Sequence, residues 1–136
     1  MSYKGGGKMV GIVVVSHSEA AARGAKEIAE QMAPEVKIEA AGGTSDLGIG
    51  TDLNKILEAI EKVYSEDGVL IFFDLGSALM NTEMALELLE DSKREKIKIA
   101  DAPLVEGAVV GAVECSMDKS LEEIEEALME LKLNKL

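Results

Sequence analysis

The chain changes period four times in the same way, and that alternation restricts its fold more than any other feature. Residues 10–15, Val-Gly-Ile-Val-Val-Val, form a short β-branched apolar run, the mark of a strand covered on both faces. From Ser18 the spacing becomes helical. Ala22, Ala25, Ile28, Ala29 and Met32 recur at three- and four-residue steps among charged residues, until Pro34 stops the helix. Residues 36–40 alternate as a second strand and lead into a glycine-rich loop over 42–50. Leu53, Ile56, Leu57, Ile60 and Val63 then make the clearest helical stripe, with Thr51 or Asp52 as cap. Gly68 opens a third strand over 69–73, ending at Asp74. Residues 78–90 are again helical, with Met80, Met84 and Leu88 on one face, and residues 97–100 form a fourth, shorter strand.

Pro103 fits the first position of a further helix carrying Leu104, Val105, Ala108, Val109, Ala112 and Val113. Ser120 and Glu123 form a capping box that starts a last amphipathic helix through Leu121, Ile124, Leu128 and Leu131. Repeated strand–helix units require right-handed crossovers and a parallel sheet between helical layers. The expected fold class is therefore α/β, a three-layer α/β/α domain with a small, mainly parallel four-stranded sheet of order 2-1-3-4 and two C-terminal helices. Residues 1–8, with three consecutive glycines before Met9, read as a non-native leader, and 9–136 as the one domain.

Composition narrows the function. Acidic residues outnumber basic ones 26 to 14, for a formal charge of −12, and aromatics make up 3% of the chain. Nucleic-acid binding needs phosphate neutralisation and stacking surfaces, so no nucleic-acid partner is expected. An anionic membrane would repel the chain, no apolar run approaches 18 residues, and a cytoplasmic location is expected. A single cysteine, Cys115, excludes an internal disulfide, and a single histidine, His17, excludes multi-histidine zinc sites; no metal ligand set is expected. Cys115 falls among small residues and reads as packing, and the methionines read mostly as leader, strand and helix-core fillers.

In a doubly wound sheet the working crevice lies beyond the carboxyl ends of the strands. That rule selects Ser16-His17-Ser18, Gly42-Gly43-Thr44, Asp74-Leu75-Gly76-Ser77 and Asp101-Ala102-Pro103. With order 2-1-3-4, His17 and Asp74 face each other across neighbouring strands. Imidazole is a nucleophile toward phosphorus when one ring nitrogen is free and the other is held as N–H by an acceptor. Asp74 is the candidate acceptor, and it would stabilise the positive charge that develops on the ring. A phosphoryl group on the outward nitrogen would sit at the start of the helix after Ser18, where free amides favour an anion. Ser16, Ser18, Thr44, Gly76 and Ser77 are the candidate phosphate-binding or supporting residues. A histidine after a strand is also an ordinary turn or capping residue, and Asp74 an ordinary acid at a helix start; both readings stay open on this ground. The loop over 42–50 lacks the lysine of a P-loop and does not follow the first strand, so it reads as a mobile loop near the site.

The segment Val13-Val14-Val15-Ser16-His17-Ser18 resembles the active-site segment of the mannose-type enzyme IIA proteins of the bacterial phosphoenolpyruvate-dependent phosphotransferase system. Gly42-Gly43-Thr44, Gly48-Ile49-Gly50-Thr51, Asp74-Leu75-Gly76-Ser77-Ala78-Leu79-Met80-Asn81 and Ala102-Pro103-Leu104-Val105-Glu106-Gly107 are similar to one branch, the phosphotransferase subunit of dihydroxyacetone kinase. The resemblance implies a phosphohistidine relay. His17 would accept phosphate at Nε2 from the histidine-containing phosphocarrier protein and pass it to ADP on the nucleotide-binding kinase subunit. Asp74 would orient the ring, the protein would be a homodimer, and this chain would bind no cofactor, ADP and magnesium belonging to the partner subunit. Mannose-transporter relatives add an antiparallel, exchanged strand after the fourth strand, where this chain reads as helix. Some bacterial forms carry further phosphocarrier-like domains, so this chain is expected to depend on a separate carrier. The alternative acceptor is a membrane-associated domain of a mannose-type sugar transporter. A non-enzymatic flavodoxin-like or receiver-like binding module is a remote third reading, since an acidic pair after the first strand and aromatic flavin-stacking residues are both missing.

Overall fold

The computed structural model describes residues 9–46 and 48–135; the leader read over 1–8 lies outside the described residues. The expected strands form as β1 (Gly11–Ser16), β2 (Ile38–Gly42), β3 (Val69–Phe73) and β4 (Ile97–Ala100). They make one all-parallel sheet of order β2-β1-β3-β4, as the alternation predicts. Between them run α1 (Glu19–Met32), α2 (Leu53–Val63), α3 (Gly76–Glu87) and the short α4 (Asp91–Arg94), followed by α5 (Leu104–Ser116), α6 (Leu121–Ala127) and a 3₁₀ turn, Met129–Leu131.

Alternation along the strands divides the core in two. Ile12, Val14, Leu70 and Phe72 point to one face and pack with α1, α5 and α6. Val13, Val15, Ile71 and Phe73 point to the other and pack with α2 and α3. Both faces of the two central strands are therefore apolar, which accounts for their unbroken hydrophobic runs. Helix α5 approaches the sheet closely because Gly107 and Gly111 face Phe72. A Cβ on Gly107 would lie 2.8 Å from Phe72 Cε1, and one on Gly111 would lie 2.9 Å from Phe72 Cζ.

Several boundaries and faces differ from the expectation. The second strand runs two residues later than 36–40, because pairing with β1 continues until Gly42 meets Ser16. The helix expected over 78–90 starts at Gly76 and ends at Glu87, with α4 a separate turn. Pro103 caps α5 rather than occupying its first turn. Met80 and Met84 on α3 and Leu88 at its C-cap are not core residues but lie toward solvent, each more than half exposed. The buried face carries Ala78, Thr82 and Ala85, with Leu79 and Leu86 packed partly buried against the same core. Met32, Met117 and Met129 are likewise exposed, so the methionines are not mainly core fillers. Cys115 is buried, and burial, with Glu114 adding to it, pushes its thiol up to about 12. The thiolate is thus unavailable near neutral pH.

Two glycine substitutions test this packing with opposite signs. Gly111→Ala inserts a methyl group into Phe72 and is expected to destabilise the protein by about 1–3 kcal/mol. Gly24→Ala, on α1 with nothing within 4 Å of the added carbon, is expected to stabilise it by roughly 0.5–1 kcal/mol. Urea unfolding of the two variants beside the wild type reads both.

Candidate active site

The parallel register sets Val15 opposite Phe73, so the residues that follow each strand meet beyond the sheet edge. There the Asp74 carboxylate accepts from four donors. The Ser16 hydroxyl (2.7 Å) and the His17 amide (3.1 Å) donate to Oδ2, and His17 Nδ1 (2.9 Å) and the Leu75 amide (2.7 Å) donate to Oδ1. An ionised carboxylate only accepts, so Nδ1 carries the ring proton and Nε2 is left with its lone pair. Nε2 faces the exposed side, where it accepts from the Ser77 hydroxyl.

A relay stands behind the carboxylate. The Ser18 amide donates to Ser16 Oγ (3.0 Å), whose own proton goes to Asp74. Ser16 is fully buried, so its single donor is committed to that bond. Burial raises the Asp74 carboxyl, but hydrogen bonds from the His17 ring, Ser16, the His17 amide and the Leu75 amide outweigh it. The net effect holds the group below the ordinary carboxylate range.

The structure brings His17, Asp74, Ser16 and Ser77 into one bonded set. Ser18 and Thr44 are engaged elsewhere. Ser18 Oγ caps α1 by accepting from the Ala21 amide, at 3.1 Å. Thr44 Oγ1 donates to Asp46 and accepts from the Gly48 amide, closing its own loop. That loop is tied to the site through its backbone, the Gly43 amide donating to the Ser16 carbonyl (3.2 Å) and the Gly50 amide to the His17 carbonyl (2.8 Å). Gly76 is the first residue of α3, whose start has no side-chain cap. An uncapped start leaves its first amides for an anion, here one residue from Ser77.

Two participants are not readable locally. The Leu75 amide is a backbone group that any residue supplies. Lys135, more than sixty residues from β3 in sequence, donates from Nζ to the Phe73 carbonyl at 2.6 Å. Among the described residues no three His, Cys, Asp or Glu side chains converge as a metal site, and no helix is long and apolar enough to cross a membrane.

A small doubly wound α/β domain with its one histidine at the strand ends is the class that fold and site define. The family model for EIIA-man, the PTS system fructose IIA component, matches residues 11–125, and the chain belongs to that family. Among relatives, a phosphoryl donor subunit of a PEP-dependent dihydroxyacetone kinase from Listeria innocua is 42% identical over 117 residues, 85% of this chain and 94% of that protein. The corresponding Escherichia coli subunit is 41% identical over 120 residues, 85% of this chain; like its Providencia stuartii counterpart it is much longer, and the chain spans about a quarter of either. A crystal structure of a protein of unknown function superposes with a TM-score of 0.82 at 35% identity, covering 95% of this chain and 99% of that one. An EIIA component from Streptococcus agalactiae, at TM-score 0.65 and 18% identity over 90% of this chain and 91% of that one, shares the fold. The resemblance read from the motifs around His17 and Asp74 is borne out by these relatives.

The Asp74 network gives a signed pH dependence. A carboxylate whose folded pKa is depressed contributes stability that is present above its unfolded value, near 3.8, and is lost as pH falls through the folded value. Asp74→Asn is expected to be less stable than the wild type at pH 7, with the gap closing as pH drops below about 4. Chemical denaturation of both proteins across pH 2.5–7 checks this; a gap that widens on acidification contradicts it.

Proposed function

We propose that this chain is a phosphoryl carrier of a dihydroxyacetone kinase system, with His17 Nε2 as the acceptor. The observation that carries the reading is the division of the imidazole: Nδ1–H is held by Asp74 at 2.9 Å, and Nε2 is directed outward with a lone pair. The names of the relatives, phosphoryl donor subunits of such kinases, supply the substrate class.

The transfer is an in-line displacement. The Nε2 lone pair attacks the phosphorus of a phosphohistidine on the phosphocarrier protein. The Nε2–P bond forms, the donor's N–P bond breaks, and the donor ring keeps that electron pair. Ser77 releases Nε2 and turns its hydroxyl to a phosphoryl oxygen, while the uncapped start of α3 offers amides to the same group. Positive charge spreads over the ring and is met by Asp74, which keeps the Nδ1 proton in place. In the second half, a terminal phosphate oxygen of ADP on the nucleotide-binding subunit attacks the phosphorus, ATP leaves, and His17 returns to its neutral form. Magnesium is expected with that nucleotide. The cytoplasm is the proposed location and a homodimer the proposed working form.

Intact-mass spectrometry after incubation with phosphoenolpyruvate, enzyme I and the phosphocarrier protein tests the reading. The wild type is expected to gain one phosphoryl group, lost in mild acid, and His17→Ala to gain none. Asp74→Ala is expected to take up phosphate roughly 10–100-fold more slowly, the order for losing a charge-assisted hydrogen bond. Uptake by His17→Ala would overturn the assignment. Transfer from the loaded protein to a sugar-transporter domain instead of ADP would move the acceptor to the transporter reading.

A further inference from the structure

The end of β3 carries one more contact that this chemistry does not yet use. After the 3₁₀ turn the chain passes through Asn134, at φ 61°, and comes back to the sheet. The Lys135 amide donates to Asp101 Oδ1 (2.9 Å), just beyond β4, and Lys135 Nζ donates to the Phe73 carbonyl (2.6 Å), the last residue of β3. The ammonium also lies 4.2 Å from the centroid of the Phe73 ring. That carbonyl belongs to the peptide unit leading into Asp74. Burial pushes the Lys135 ammonium below its ordinary value, while Asp101 and Asp74 act in the opposite direction. In a chain of net charge −12, a half-buried cation bonded to the strand end that carries the orienting carboxylate differs from a solvated surface lysine. Lys55 makes a comparable bond on the other flank, from Nζ to the Gly42 carbonyl (3.0 Å), but β2 carries neither His17 nor Asp74.

We propose that Lys135 is a positioning residue for His17, holding the Phe73 carbonyl and with it the Phe73–Asp74 peptide, so that the Asp74 carboxylate stays aimed at Nδ1. Its consequence for transfer rests on the phosphohistidine reading. A phosphoryl group arriving at Nε2 brings negative charge to the far side of the ring from Asp74, and the two repel through the imidazole. The Lys135 hydrogen bond to the end of β3 resists displacement of Asp74 as that charge builds.

Lys135→Met keeps the stem over the Phe73 ring and removes the charge and the donor; Lys135→Arg restores both. Two readouts are taken on the full chain, the His17 ring ¹⁵N shifts of the unphosphorylated protein and single-turnover uptake from phosphorylated carrier, with thermal unfolding as the control for folding. Lys135→Met is expected to shift the ring toward the Nε2–H tautomer and to slow uptake about tenfold at near-wild-type Tm, with Lys135→Arg recovering both. Wild-type ring shifts and uptake in Lys135→Met overturn the proposal. So does a rate that falls only in step with the folded fraction and is not recovered by arginine. If the wild type itself takes up no phosphate, the His17 reading has failed, and the ring shifts alone then decide the role of Lys135.

Discussion

The candidate site depends on one carboxylate, Asp74, which gathers donors from two strands that are distant in sequence and adjacent in the sheet. Two of its hydrogen bonds come from the side chains of Ser16 and His17, two from backbone amides, and they divide evenly between its oxygens. This geometry exists because β1 and β3 are parallel neighbours in register, so both chains leave the sheet at the same edge. An antiparallel pairing, or another strand between them, would separate the histidine from its partner. The crossover topology is thus part of the chemistry: it places an acceptor behind a nucleophile at the ends of adjacent strands.

The same carboxylate links stability to reactivity. Desolvation alone would raise its pKa and neutralise it; the four donors reverse that and keep it charged. An ionised Asp74 is what assigns the proton to Nδ1, and a proton on Nδ1 is what leaves Nε2 basic. The chain is strongly acidic, so in the proposed reaction compensation for an incoming phosphoryl group has to be local. The groups at hand are the Ser77 hydroxyl and the amides at the uncapped start of α3.

Much of this was legible from the residues. Apolar runs of strand length alternating with helical stripes allow few topologies, and the crevice rule then selects the segments holding His17 and Asp74. The capping box at Ser120 was readable, and the cap of α2 was narrowed to Thr51 or Asp52, of which Asp52 serves, because capping is a local act. What escaped was whatever depends on the far side of a contact. Met80, Met84 and Leu88 have core-like spacing, yet the face of α3 that is fully buried carries Ala78, Thr82 and Ala85, with Leu79 and Leu86 packed at its margin. Ser18 and Thr44 carry hydroxyls at the right strand ends, but each spends its oxygen on its own backbone turn. Lys135 gives no signal in its neighbourhood, because its partners, Phe73 and Asp101, are set by the return of the chain over the sheet.

The most direct test of the account is which nitrogen of His17 becomes phosphorylated. Heteronuclear NMR of the ¹⁵N-labelled, phosphorylated protein resolves ³¹P–¹⁵N coupling at each ring nitrogen separately. The expected result is coupling to Nε2 together with a retained proton on Nδ1, still bonded to Asp74. Coupling to Nδ1 would mean that the carboxylate does not hold the ring in the reactive state, and the central role given to Asp74 would be wrong.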